Sequence, residues 1–245
     1  MIEIFAQNQP DVSRPERIAP IWHTVLLVLL LLFPPYMWLP LKSWFPVIQR
    51  SDLPFFHFLT LLYQWILFVF MWLGLLAKGT KFRSLIGKLW KIPKDALRDS
   101  GWALLFFVVN MSLALALSFL YGRFYQTPDR FLPQTLLELL TILPVMISAG
   151  ICEEVICRGY LQKQIHSLSG NIWYAILVQA TIFSLAHGYD QTVTGYADKF
   201  IYGFLAGALA HWRKSLLPGI LSHSFQDAFA VIAATVIFQL SRSAS

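Results

Sequence analysis

Long hydrophobic stretches separated by short polar segments dominate the sequence. The stretches cover approximately residues 21–39, 55–77, 101–121, 136–161, 172–187, 200–212 and 216–240. Most approach the roughly 20 residues that an α-helix needs to cross a bilayer, and they are too long and continuous for barrel strands of about 10 residues. The pattern therefore predicts an all-α, polytopic membrane bundle of about seven transmembrane helices.

The most basic part of the chain lies between the second and third stretches. Cations alternate there with large apolar residues: Lys78, Lys81, Arg83, Lys88, Lys91, Lys94 and Arg98. This pattern is typical of an amphipathic helix at an anionic membrane surface, which we expect Pro93 to break. If the segment is cytoplasmic, so is the N-terminus, and about twice as many Lys and Arg residues then lie inside as outside, as the positive-inside rule requires. The prediction is a multi-pass cell-membrane protein.

Composition supports the membrane prediction. The chain is 57% hydrophobic and only 13% charged, with a mean hydropathy of +0.58. The net charge of +6 comes from basic residues between the hydrophobic stretches, so orientation in the bilayer explains it better than a nucleic-acid partner. The two cysteines, Cys152 and Cys157, diverge at i and i+5 on one predicted helix. We expect two small buried thiols rather than a disulfide or a nucleophile.

Residues 150–160, G-I-C-E-E-V-I-C-R-G-Y, place three charges inside the fourth hydrophobic stretch. Each charge costs roughly 2.5 to 3.5 kcal/mol at the centre of a membrane helix. Glu154 and Arg158 stand at i and i+4 with the acid first, which favours an ion pair. Glu153 points about 100° away, and an unpaired carboxyl in a low-dielectric cleft suits a general base near neutral pH. From these residues alone, a catalytic site and a structural charge cluster both stay open.

Polar residues also interrupt two later stretches. Phe183 and His187 are one helical turn apart in the fifth stretch, and His223 and Asp227 stand at i and i+4 in the seventh. If the polar segment after the fourth stretch forms a turn, Glu153 and His187 come level to within about one helical turn, at 1.5 Å per residue. We therefore expect an acid and two imidazoles to meet at one buried site.

Together these residues reproduce the motifs E-E-x-x-x-R, F-x-x-x-H and H-x-x-x-N/D in order. In this respect residues 136–240 resemble the CAAX-processing and bacteriocin-immunity (CPBP, or Abi) family of intramembrane proteases. Relatives often carry Asn at the last motif position, where this chain has Asp227. With the resemblance, we expect an N-terminal transmembrane scaffold with a cytoplasmic basic loop over residues 1–132, and a catalytic helical core over residues 133–245.

The resemblance implies an intramembrane endopeptidase acting on a membrane-anchored or lipidated protein or peptide. It implies that Glu153 and His187 activate the attacking water, that His223 with Asp227 stabilises the oxyanion, and that Glu154, Arg158 and Phe183 support them. Asp227 can donate to an oxyanion only when protonated, so its other option is to orient His223.

Two questions stay open at this stage. The first is metal: zinc has permissible ligands in Glu153, His187, His223 and Asp227, but the sequence has no H-E-x-x-H helix, so we expect no cofactor, with a divalent metal as the other option. The second is catalysis itself, because a noncatalytic immunity or scaffolding protein could retain the same fold. A transporter with a proton relay is a third hypothesis.

Overall fold

The computed structural model describes residues 15–41, 49–121, 132–188 and 192–243. These residues are mainly helical and contain no β-strand. The helices are α1 (Ile21–Leu41), α2 (Leu53–Leu76), α3 (Arg83–Ile86), α4 (Pro93–Leu120), α5 (Leu136–Glu154), a π-helical segment (Val155–Leu161), α6 (Gln162–Ser169), α7 (Ile172–Ala186), α8 (Val193–Arg213) and α9 (Leu217–Ser243).

Within the described ranges, four helical stretches are long and apolar enough to cross a membrane: Arg50–Leu76, Pro93–Leu120, Leu136–Ser169 and Leu217–Ser241. Two shorter apolar helices cover Ile21–Phe33 and Ile172–Ala186. Together with α8, these helices correspond one by one to the predicted hydrophobic stretches. The predicted helical membrane bundle is confirmed.

The fourth stretch forms one continuous rod that is longer than its hydrophobic part. Helix α5, the π-helical segment and α6 follow without a break over 34 residues, and Gly170 ends the rod in the left-handed conformation. At about 1.5 Å per residue the rod is roughly 50 Å long, so it exceeds the roughly 30 Å hydrocarbon core. The turn between the fourth and fifth hydrophobic stretches lies directly after the polar segment, as predicted. One end of the rod therefore extends beyond the hydrocarbon core.

Helix α8 begins earlier than the sequence predicted. The hydrophobic stretch was expected from residue 200, but the helix starts at Val193, where the Thr192 hydroxyl accepts a hydrogen bond from the Gly195 amide at 3.2 Å. Asp198 and Lys199 form an ion pair at 3.3 Å and are only half-buried. Because Asp198 and Lys199 are charged, the hydrophobic pattern assigned them to a loop. The structure places them in the first turns of a capped helix.

The basic segment differs from the predicted surface helix. Before Pro93 only Arg83–Ile86 is helical, whereas Lys94 and Arg98 lie in the first turns of α4. Gly87 ends the short helix with φ of +78°, a conformation that favours glycine. Pro93 does not interrupt a helix but begins α4, because a proline is well tolerated in the first turn, where its missing N–H is not needed.

The basic segment is docked on the turn between α8 and α9. The Lys88 amide donates to the Lys214 carbonyl at 2.8 Å, and the Leu216 amide donates to the Ile86 carbonyl at 2.9 Å. The Ser215 hydroxyl adds a bond to the Lys88 carbonyl at 2.8 Å. These contacts attach the segment to the start of α9, the helix that carries the third motif.

The core of the bundle surrounds the π-helical segment, all seven residues of which are buried. Both cysteines, Cys152 and Cys157, are buried free thiols, as predicted. Helix α8 carries the pattern G-x-x-x-G at Gly203 and Gly207, where a Cβ would lie 3.0 Å from Ala180 Cα and 2.7 Å from Gln179 Nε2. These small residues let α8 pack closely on α7.

Candidate active site

Glu154 and Arg158 form the predicted ion pair in the interior of the bundle. Their side chains are fully buried and approach to 3.2 Å. The Arg158 guanidinium also lies over the Phe183 ring, 4.2 Å from its centroid, and 5.4 Å from that of Tyr202. The negative faces of these rings stabilise a cation that is removed from water. Phe183 therefore has a structural role as a cover for the arginine of the first motif.

Glu154 also binds the histidine of the third motif, which the sequence did not predict. The His223 Nδ1 donates to Glu154 Oε1 at 3.1 Å, and the Tyr202 hydroxyl donates to the same oxygen at 3.4 Å. Gly219 makes room for the carboxylate, since a Cβ at that position would lie 2.9 Å from Glu154 Oε2. The bond fixes the ring of His223 with Nδ1–H towards Glu154 and Nε2 on the opposite side.

The opposite side of His223 faces two more carboxylates. Its Nε2 is 3.8 Å from Glu153 Oε2 and 3.5 Å from Asp227 Oδ2. These two acids are 31% and 28% exposed, whereas Glu154 is 1% exposed. Glu153 Oε2 is itself buried and makes no hydrogen bond within the described part of the chain. The cluster thus has a closed face at Glu154 and an accessible face at Glu153 and Asp227.

His187 lies at the end of α7, where it is the C-cap residue. Its Nδ1 donates to the Phe183 carbonyl at 2.7 Å, so in the neutral ring Nε2 carries the lone pair. The Phe183 ring is 4.6 Å from the His187 ring and 6.1 Å from the His223 ring, by centroids. Phe183 therefore packs against both imidazoles.

The structure brings all the predicted site residues into one cluster: Glu153, Glu154, Arg158, Phe183, His187, His223 and Asp227. Sequence reasoning missed Tyr202, which is buried in α8 with its ring 4.9 Å from His223 and 5.8 Å from Phe183. The only signal was a tyrosine within an apolar helix, since a buried tyrosine hydroxyl needs a partner. The catalytic roles of these residues stay predictions.

A π-helical segment begins directly after the paired acids. Residues 155–161 form wider turns than the α-helix that precedes them, and Arg158 lies in this segment. Short π-helical segments within α-helices frequently occur at functional sites, because they change the direction of the side chains that follow. Hydrophobic periodicity does not distinguish such a segment from α-helix, so the sequence did not predict it.

The cluster contains carboxylates and imidazoles, the side chains that bind zinc in proteins. Across the described ranges, no group of three or more His, Cys, Asp or Glu side chains is positioned to hold a metal ion. The Nδ1 atoms of His187 and His223 are hydrogen-bonded to Phe183 and Glu154, an arrangement that is compatible with metal binding through Nε2. Whether the activity depends on metal stays a prediction.

Fold and site together define a multi-pass helical membrane protein with a buried cluster of carboxylates and imidazoles. Residues 134–229 match a family model described as Rce1-like, type II CAAX prenyl endopeptidase Rce1-like. The matched residues include every member of the cluster, and the resemblance to the CPBP family is confirmed for this part of the chain. The family supports a CAAX-type endopeptidase in general terms. No curated protein and no solved structure matches the chain.

Proposed function

We propose that the protein is an intramembrane endopeptidase that hydrolyses a peptide bond in a membrane-anchored or lipidated protein. The observation that carries the proposal is the accessible carboxyl of Glu153, which lies 3.8 Å from the Nε2 of His223 inside the segment that matches the family. One carboxylate and two imidazoles are sufficient for general acid–base hydrolysis of an amide.

In this proposal Glu153 is the general base. Its Oε2 is buried beside His223 without a hydrogen bond from the described residues, but the side chain as a whole is 31% exposed, so a water molecule that reaches the carboxyl can lose its proton there. His187 contributes through Nε2, because its Nδ1–H is held by the Phe183 carbonyl and leaves the lone pair on the other nitrogen. His187 would orient the same water towards the peptide carbonyl.

His223 would stabilise the oxyanion that forms when water attacks the peptide carbonyl. Since Nδ1–H is directed at Glu154, Nε2 can donate to an oxyanion only when the ring carries both protons. The Nε2 atom is 3.5 Å from Asp227, which supports a role for Asp227 in orienting the imidazole rather than in donating directly. Glu154 and Arg158 hold the ring from the buried side, and Phe183 covers the arginine.

We further propose that the substrate is prenylated. The support is the description of the matching family, which names prenyl CAAX endopeptidases. A lipid anchor also keeps the substrate in the bilayer that surrounds the helices of this protein. The proposed substrate class therefore rests on the family description and on the membrane location.

The test is cleavage of a farnesylated, quenched-fluorescent peptide ending in C-a-a-X by the full chain reconstituted in lipid vesicles. We expect cleavage, with the bond identified by mass spectrometry. Glu153→Gln keeps the shape of the side chain and removes its basicity, so the rate should fall by roughly 10²- to 10⁴-fold. The unfolding midpoint should be unchanged, because no residue in the described part of the chain forms a hydrogen bond with the buried oxygen of this carboxyl.

The matched control is Glu16→Gln, which makes the same chemical change at an exposed acid outside the cluster. It should cleave at the parent rate. If the parent chain does not cleave prenylated or unprenylated peptides, or if Glu153→Gln cleaves at the parent rate, the noncatalytic alternative is favoured. Cleavage of the unprenylated peptide alone would leave the hydrolase proposal intact and refute the substrate class.

A further inference from the structure

A cavity separate from the acid–imidazole cluster lies between the basic segment and the turn that joins α8 to α9. Its volume is about 350 Å³, within the range of small-molecule sites, which begin at about 300 Å³. The lining is dominated by cations: Arg83, Lys88, Lys91, Arg98 and Arg213. Two acids, Asp95 and Asp99, also contribute, so the cations exceed the acids.

Both acids already form ion pairs with two of the cations, Arg98 and Arg213. Asp99 binds Arg213 at 2.7 Å and Arg98 at 3.6 Å, and Asp95 is 3.3 Å from Arg98. The side chains of Arg83 and Lys88 are exposed and make no ion pair with any residue that the structure describes. An uncompensated positive charge therefore remains in the cavity, and an anionic ligand would neutralise it.

Apolar side chains beside these cations indicate where the cavity lies relative to the bilayer. Leu89 and Trp90 line it and are each 41% exposed, and the following Ile92 is 56% exposed. The Trp90 indole N–H donates to Asp99 at 3.0 Å, which fixes the ring against the cationic group. A tryptophan whose N–H lies among polar groups and whose ring lies beside apolar side chains is typical of the membrane–water interface.

The length and charge pattern of α4 agree with this position. The helix has 28 residues from Pro93 and is thus roughly 42 Å long, whereas the hydrocarbon core is about 30 Å thick. Residues 102–120 are uncharged, so the charged first turns, which contribute Asp95, Arg98 and Asp99 to the cavity, are the part that extends to the lipid headgroups. A headgroup phosphate reaches such a cavity without leaving the membrane.

We propose that this cavity binds the phosphate of an anionic glycerophospholipid, held by Arg83 and Lys88 with Trp90 and Ile92 beside the glycerol and upper acyl chain. The exposed apolar side chains favour a lipid over a free phosphate or an acidic peptide. None of these residues belongs to the proposed catalytic cluster. The lipid site is therefore independent of the proposed hydrolase activity.

The test uses the full chain in a neutral detergent, titrated with short-chain phosphatidylglycerol or phosphatidylcholine, with bound lipid counted by native mass spectrometry. We expect phosphatidylglycerol to bind at least tenfold more tightly. The double variant Arg83→Gln/Lys88→Gln should lose more than tenfold in phosphatidylglycerol affinity, since each charge near an anionic lipid contributes roughly fivefold. Arg83→Lys/Lys88→Arg should retain most of the binding.

The matched control is Lys78→Gln/Lys81→Gln, which removes the same charge from the same basic segment outside the cavity lining. It should bind phosphatidylglycerol within about twofold of the parent. Equal losses of phosphatidylglycerol affinity in both double variants would show that the lipid is attracted by the charge of the whole basic segment, and would overturn the proposal. Equal affinity for the two lipids would also overturn it, as would displacement of the lipid by equimolar glycerol phosphate or by a polyglutamate peptide.

Discussion

Two adjacent carboxylates, Glu153 and Glu154, have opposite environments. Glu154 is fully buried and bonded to Arg158, His223 and Tyr202, whereas Glu153 is partly exposed and lies 3.8 Å from the outer nitrogen of His223. Neighbouring acids in a hydrolytic site commonly divide their roles through such differences. Their substitution should therefore affect different properties of the protein.

We predict that Glu154→Gln lowers stability, whereas Glu153→Gln does not. The change at Glu154 leaves the Arg158 guanidinium buried without its counter-ion, and breaking a buried pair costs about 3 to 5 kcal/mol. The measurement is the free energy of unfolding of the detergent-solubilised full chain in a denaturing-detergent titration. Equal stability of the two variants would contradict the assignment of Glu154 as the structural acid.

Metal removal provides a second prediction at the scale of residues. Because one carboxylate and two imidazoles are sufficient for general acid–base hydrolysis, we expect peptide cleavage to continue after the protein is dialysed against a strong chelator. Metal content and activity should be measured on the same sample, purified without chelator. Stoichiometric zinc whose removal abolishes cleavage, and whose return restores it, would refute the metal-free mechanism.

The helices and most of their ends could be predicted, because each depends on local sequence. Hydrophobic length fixed the spans, and the polar segment before Gly170 gave the position of the turn. The contact between Glu154 and His223 could not be predicted, because it depends on the rotation of α9 against α5. The π-helical segment could not be predicted either. A turn with one additional residue has the same apolar composition as an α-helical turn, so the sequence does not distinguish them.

The packing of α5 on α9 sets the distance between the acids and His223, and Gly150 sets that packing. A Cβ at position 150 would lie 2.4 Å from the backbone nitrogen of Ser224 and 2.7 Å from its Cα. Backbone atoms cannot move aside as a flexible side chain does, so α9 would have to shift. The first motif on α5 and the third motif on α9 would then separate.

We predict that Gly150→Ala destabilises the protein by about 1 to 3 kcal/mol, as overpacked cores do, and lowers peptide cleavage more than tenfold. The control is Gly101→Ala in α4, where an added Cβ meets no atom within 4 Å. That change should be neutral or stabilising by up to about 1 kcal/mol, because alanine favours a helix. Parent-like cleavage by Gly150→Ala would show that the spacing of α5 and α9 does not limit the reaction.

At the scale of the whole molecule, the predicted N-terminal scaffold and helical core share buried polar contacts. His23 in α1 binds the Tyr160 hydroxyl at 3.0 Å, and the Gln164 side chain donates to the Ala19 carbonyl at 2.8 Å. Arg50 binds Glu138 at 2.9 Å near the other end of α5. The family match begins only at residue 134, so these contacts are the means by which the unmatched helices support the rod that carries Glu153 and Glu154.

The orientation of the molecule gives the last prediction. We predict that the basic segment lies in the cytoplasm, because Lys and Arg residues near membrane spans are retained on that side. Helix α2 would then place the preceding connection, which contains the exposed Ser51, on the opposite side. Since Cys152 and Cys157 are buried, a cysteine introduced at the surface can be labelled selectively.

Sealed cells that produce Ser51→Cys should react with a membrane-impermeant maleimide, whereas Lys81→Cys should react only after the cells are permeabilised. The parent chain, with its two buried thiols, should stay unlabelled in both conditions and serves as the control. The reverse pattern would place the N-terminus outside and refute the orientation. Labelling of both variants from one side would mean that α2 does not cross the bilayer, although its sequence is apolar over more than the required length.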